Sequence, residues 1–157
     1  NQIMTLVNKF SALSAPSKIR NLADKKFMQG KLVFDQLNCT GCHTPKMATS
    51  KVAEYDVLSN KTFFPFSDFL LHDMGVGLAD TGNEFSANEQ EWRTAPLWGN
   101  SLNKITSGRE SYLHDGRARN LVEAIAWHGG EAKKSQLGFL QLNKTQRHDL
   151  IYFLESL

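Results

Sequence analysis

Cys39-Thr40-Gly41-Cys42-His43 is the stretch of this chain whose residue types and spacing prescribe the most specific chemistry. Two thiols three residues apart, followed at once by an imidazole, form the C-x-x-C-H sequence to which c-type haem is attached. The thiols add across the two vinyl groups of the haem, and the histidine is offered to the iron. Two other chemistries share part of the pattern and fit it less well. A thioredoxin-like redox pair has a strand before it and a helix that begins at the first cysteine. Here the preceding residues read as a helix, and Thr44-Pro45 follows. A zinc site needs two more ligands at knuckle spacing, and no second C-x-x-C exists. The expected cofactor is one haem c, covalent through two thioether bonds, with His43 as proximal ligand and no disulfide. Thioether maturation takes place outside the cytosol, so the expected location is the periplasm.

The other face of such an iron has several suitors. His72, His114, His128, His148 and four methionines, Met74 among them, could supply a sixth ligand. Haem also brings two carboxylates, which need cationic or hydrogen-bonding partners when buried. Arg93, Arg117 and Arg119 are the candidates for them. Trp92, Trp98 and Trp127 read as packing around the pocket and core, and His114 as a hydrogen-bonding residue.

These residues need elements to hold them. The spacing of Ile3, Met4, Leu6, Val7, Phe10 and Leu13 predicts a short helix that ends near Ser14-Ala15-Pro16. A second helix is expected from Asp24 to Leu37, with Phe27, Met28, Val33, Phe34 and Leu37 apolar and Gly30 as a costly interruption. Residues 44–111 are rich in Gly, Asn, Ser and Thr and read as loops with a few short helices at best. Asn120-Leu121-Val122-Glu123 has the form of a capping box, opening a helix that stops at Gly129-Gly130. Thr145 is suited to cap a last helix carrying Leu150, Ile151, Phe153, Leu154 and Leu157. No alternation typical of strands is visible, so the expected fold class is all-α: a single cytochrome c-like haem domain over residues 1–157 with long loops around one haem. Residues 1–20 read as a linker or N-terminal helix of a longer chain. A start at Asn1 rather than Met is what a processed product, or part of something longer, would show.

Size and charge agree with one small domain. The chain has 157 residues, 41% of them hydrophobic, and a net charge of +2. A near-neutral balance argues against a nucleic-acid binder, and no apolar run approaches the roughly 18 residues of a membrane span.

Taken in order, the motifs resemble a known family. They are Gly30 to Phe34 with Cys39 to Pro45, then Phe66-Ser67-Asp68-Phe69-Leu70-Leu71-His72-Asp73-Met74-Gly75, then Glu91-Trp92-Arg93-Thr94-Ala95-Pro96-Leu97-Trp98-Gly99. After these come Tyr112-Leu113-His114-Asp115-Gly116-Arg117-Ala118-Arg119 and Leu121-Val122-Glu123-Ala124-Ile125-Ala126-Trp127-His128-Gly129-Gly130. From about residue 21 onward the chain resembles the C-terminal haem domain of the bacterial di-haem cytochrome c peroxidase superfamily. The nearest branch is the di-haem oxidoreductases, often labelled thiol oxidoreductases. The resemblance implies a cytochrome c fold in which the first and last helices cross at Gly30 and Phe153. It also implies that this domain handles electrons, in partnership with a redox protein or a second haem domain, whereas the family's other haem meets the oxidant. The family's distal ligand lies at the end of the helix after the H-x-G turn, which falls here on His128. That position shares a helix face with Leu121, Ala124 and Ile125. Met74 is its main rival, then His72. The alternatives to electron transfer are a haem enzyme with peroxidase activity of its own and a haem-based ligand-binding sensor. The family's calcium stretch is replaced by Arg109-Glu110-Ser111-Tyr112, so calcium is not expected by this resemblance.

Overall fold

A computed structural model describes residues 2–52 and 54–157; Asn1, the first residue of the expected 1–157 domain, and Ala53 lie outside them. In chain order the described elements are α1 (Gln2–Leu13), α2 (Lys25–Gln36), β1 (Met47–Ala48), β2 (Thr62–Phe63), β3 (Leu71–Asp73), β4 (Glu91–Arg93), α3 (Asn103–Ser107), α4 (Leu121–Ala126), α5 (Lys133–Gln141) and α6 (Lys144–Ser156). Short 3₁₀ turns interleave them, one of which is Cys39–Gly41.

Helices α2 and α6 form the frame. Asp24 caps α2 by accepting the Lys26 amide at 2.8 Å. Asn143, not Thr145, caps α6, in a reciprocal box with Gln146: each side chain takes the other residue's amide, at 2.9 and 3.1 Å. Asn143 stands where the backbone is still extended, so its side chain can reach the free amides of the first turn, whereas Thr145 is already inside the helix. The two helices cross where Gly30 lies against Asp149 and Phe153; a Cβ on Gly30 would collide with the Asp149 carbonyl oxygen and come within 2.6 Å of the Phe153 Cβ. Glycine allows the close approach. Phe153 is fully buried there and meets Phe27, Phe34 and Phe66 at ring-centroid distances of 5.1, 5.3 and 5.7 Å. Phe139, Leu121, Leu150, Leu154 and Leu157 complete the core.

The fold is not all-α. Among the described residues it is a helix-rich mixed α/β arrangement with two small antiparallel sheets, β1–β2 and β3–β4. Strands of two or three residues are too short to show the alternation by which a strand is read in sequence. The β3–β4 pair sets Leu71 opposite Arg93, His72 opposite Trp92 and Asp73 opposite Glu91, and so lays two distant loops side by side. Helix α4 ends at Ala126, before the expected Gly-Gly stop, and α5 was not expected at all. Helix α1 is present with every residue exposed. Among the described residues no helix is long and apolar enough to cross a membrane.

Candidate functional site

After α2, the chain turns through Cys39–Gly41, with the His43 amide donating to the Cys39 carbonyl at 2.9 Å. The loop at 66–69 then folds back over this turn. The Ser67 and Asp68 amides donate to the Thr44 and Cys42 carbonyls at 3.0 and 2.9 Å, and the Ser67 hydroxyl donates to the Thr94 carbonyl at 2.7 Å. Phe66 is held at φ +49°, a left-handed conformation that costs an aromatic residue about 1–3 kcal/mol. The conformation aims its carbonyl at His43, whose Nδ1 donates to it at 2.8 Å. A carbonyl can only accept, so Nδ1 carries the proton and Nε2 keeps its lone pair. Desolvation pulls the His43 pKa down to about 4, the Phe66 contact opposing it only in part, and the ring is neutral at pH 7.

His128 arrives from α4 with the same arrangement. Asn120 caps the helix by accepting the Glu123 amide at 2.8 Å. The Glu123 carboxylate completes no reciprocal box; it takes the Arg119 amide at 2.9 Å and the Arg119 guanidinium at 2.8 Å. Beyond the helix, His128 Nδ1 donates to the Ala124 carbonyl at 2.8 Å, and desolvation again lowers the ring's pKa. Gly129 and Gly130 let the chain pass tightly over residues 73–75: a Cβ on Gly129 would be 2.6 Å from the Met74 carbonyl oxygen, and one on Gly130 would collide with that of Asp73.

The centroids of the two rings lie 6.5 Å apart, with 41° between their planes. An imidazole nitrogen bonds a first-row metal at about 2.0–2.1 Å and lies about 1.1–1.2 Å from its own ring centre, so two imidazoles across one ion have centroids about 6.3–6.5 Å apart. Both rings, in the tautomer a metal requires, line one cavity of about 390 Å³. Cys39 and Cys42 line it too, as do Leu121, Ala124 and Ile125. Burial pushes the Cys39 thiol up to about 12 and the Cys42 thiol in the same direction. Cys39, Cys42, His43 and His128 are therefore the residues of this cavity that would hold a haem.

A charged cluster lies beside Cys42. His72 meets carboxylates at both ring nitrogens, Asp68 at 2.8 Å and Glu131 at 2.9 Å, which requires both nitrogens to be protonated. Cys42, Asp68 and His72 offer ligand atoms within 4.8 Å of one another, but with both His72 nitrogens committed the cluster is an ion triad. It ties the loop over His43 to the turn after His128. Glu131 and then Asp68 raise the His72 pKa above its ordinary 6.5. His72 lowers that of Glu131; desolvation pushes Asp68 up, but the Leu70 amide and His72 outweigh it and the net shift is down. A pKa raised by folding contributes stability that is complete below the unfolded value and fades as pH rises through the folded one; the lowered carboxylates contribute above their unfolded values and fade in acid. The stability lost in His72→Gln, measured by urea unfolding, is therefore expected to be largest near about pH 6 and to narrow as the pH is raised above the ordinary histidine value of about 6.5. A constant loss across that range would contradict a charged triad.

The remaining expected residues divide. Met74, Trp92, Arg93 and His114 line the cavity. Trp92 stacks on His114 with centroids 3.5 Å apart and 10° between planes, and its Nε1 donates to the Leu78 carbonyl at 2.9 Å. Arg117 pairs with Asp115 at 2.6 Å, donates to the Gly77 carbonyl and covers the half-exposed Trp127 ring at 4.9 Å. It is not among the cavity-lining residues, nor are Arg119, Trp98 and Trp127. Trp98 packs on Phe63, and His148 is exposed beside Asp149. Among the residues that sequence reasoning missed are Phe66, whose carbonyl orients His43, the Asp68 and Glu131 carboxylates, and Asn100 and Tyr112 in the cavity wall. The D-F-L-L-H spacing, which sets a carboxylate four residues before His72, was the one local signal for the triad.

A family model described as "Di-haem oxidoreductase, putative peroxidase" matches residues 3–157. Among curated proteins and among solved structures, none matches.

Proposed function

Because this chain belongs to the di-haem oxidoreductase family, its chemistry is haem-based redox chemistry, and on that premise we propose that it holds one haem c in a six-coordinate bis-histidine site and transfers electrons. The observation that carries the reading is the 6.5 Å separation of the His43 and His128 rings. The family name speaks of two haems; the two cysteines of this chain suffice to attach one. The iron supplies one-electron chemistry, and the residues around it set its character. The Phe66 and Ala124 carbonyls fix the two ring orientations and strengthen both imidazoles as donors. Two imidazoles favour the ferric state more than a His/Met pair does, which lowers the potential. With His43 and His128 both committed to the iron, peroxide would find no open position, which favours passing electrons to or from a redox protein or a second haem domain. The attachment chemistry supports a periplasmic location.

Two measurements on the purified protein test this. Acidified acetone should fail to extract the haem, and Cys39→Ser or Cys42→Ser should leave it attached by one bond or absent; free extraction from wild type would remove the covalent reading. The ferric protein should be low-spin, lack a Met-to-iron charge-transfer band and ignore cyanide, as the ferrous protein should ignore carbon monoxide. A high-spin wild type that turns over peroxide would establish the enzyme reading instead, and a low-spin one that exchanges a ligand for carbon monoxide the sensor reading.

A further inference from the structure

We propose that α1 (Gln2–Leu13) is a self-association surface, pairing antiparallel with α1 of a second copy of this chain. The pairing goes beyond the haem reading and needs no haem. No residue of α1 is buried, yet the helix has a sharply divided surface. Ile3, Leu6, Val7, Phe10 and Leu13 fall within about a third of its circumference, and Thr5, Asn8 and Ala12 lie on the opposite side. Leu6 is 62% exposed and Phe10 76%. A helix of 12 residues with no packed face is marginal in water, because such a helix draws most of its stability from burying its apolar stripe. The helix therefore calls for a surface that covers the stripe.

Spacing, charge and area point to a second copy as that surface. Ile3, Leu6, Phe10 and Leu13 follow one another by three, four and three residues, the spacing of the seam between two paired helices. The series reads the same in both directions. An antiparallel copy therefore sets Leu6 opposite Phe10 and Ile3 opposite Leu13, each contact made twice about a two-fold axis near Asn8. Such a stripe is complementary to itself, as a two-fold interface requires, and antiparallel helices also oppose their dipoles. The one charged residue of α1, Lys9, lies outside the stripe, so two copies bring no like charges into the seam. A helix that lies on a membrane surface carries a strongly basic polar face, and a single lysine does not make one. Full coverage of the stripe on both copies buries on the order of 1,200 Å², the lower end of the range for specific interfaces. The dimer is accordingly expected to be reversible, with monomer present at low micromolar concentration.

The test uses the whole chain, with wild type, Leu6→Lys, Phe10→Glu and an equimolar mixture of the two variants compared by analytical ultracentrifugation from low to high micromolar concentration. Wild type should pass from the monomer mass to twice that mass. Each variant alone should stay monomeric, because pairing would bury an unpaired charge in the seam. In the mixture the two substituted positions face each other across the axis, so their opposite charges pair and a mixed dimer should form. Helix α1 contributes nothing to the core, so both variants should melt at the temperature of dilute wild type, which separates lost pairing from lost folding. A wild type that stays monomeric throughout, or a dimer that survives in both variants, would overturn the proposal. Variants that stay monomeric when mixed would overturn the antiparallel pairing. Monomeric wild type that binds phosphatidylglycerol vesicles, where Phe10→Glu does not, would overturn it too and give the stripe to a lipid surface.

Discussion

Replacing His128 with alanine is expected to convert the ferric protein from low-spin to high-spin and to open it to cyanide and peroxide. His128 is one of two imidazoles that line the cavity with Nδ1 tied to a backbone carbonyl, and its removal leaves His43 without an opposite number. Apparent affinity for an outside ligand scales with the fraction of molecules whose site is open. If that fraction is about 1% or less in wild type, cyanide affinity rises about 100-fold or more in the variant. His128→Met should instead keep the low-spin state and raise the potential, because thioether favours Fe(II). Met74 lines the same cavity, and Met74→Ala is the control: its spectrum should match wild type. An unchanged spectrum in His128→Ala and a changed one in Met74→Ala would transfer the ligand role to Met74.

The largest expected effect on stability is at Gly30. A methyl group there would strike the Asp149 carbonyl oxygen, which is main chain and unable to swing aside, and would lie 2.6 Å from the Phe153 Cβ. Gly30→Ala should therefore destabilise by about 1–3 kcal/mol. At about 2–4 °C per kcal/mol for a chain of this size, the midpoint falls by about 2–12 °C, and Gly30→Val should lose more. At an open helix position the same change to alanine would stabilise by about 0.4–1 kcal/mol. The sign of the shift in a thermal melt thus decides between a helix crossing and an ordinary helix residue.

Legibility in the sequence followed the range of the interactions. C-x-x-C-H, the Asn120 cap and the apolar face of Leu121, Ala124 and Ile125 are local patterns, and each could be read residue by residue. The Gly30–Phe153 contact is not local, and it became readable only through resemblance to a fold in which two helices cross there. Helix α5 went unseen because it starts without a side-chain cap at Ala132 and contains Gly138. The β3–β4 ladder went unseen because each strand has three residues and pairs across a long loop. Arg93 and Arg117 look alike in sequence, and only their surroundings separate an arginine in the cavity wall from one spent on Asp115 and Trp127.

The α2–α6 crossing also has a consequence in time. Gly30 and Phe153 are about 123 residues apart, and closing a loop of that length costs about 4 kcal/mol of chain entropy. Such a contact slows folding, because the closure entropy is spent before the contact rewards it. Leu150 and Leu154, which α6 contributes to the cavity wall, are also made after Cys39 and Cys42 during synthesis. While α6 is still undocked, the thiols stand in a half-built pocket without that wall over them. If a haem iron bridged His43 and His128, as proposed, the remaining closure would span only about 38 residues and its entropic cost would fall by about 1 kcal/mol. An undocked α6 would leave the thiols more open to covalent chemistry, and a His43–His128 bridge would in turn favour docking of the last helix.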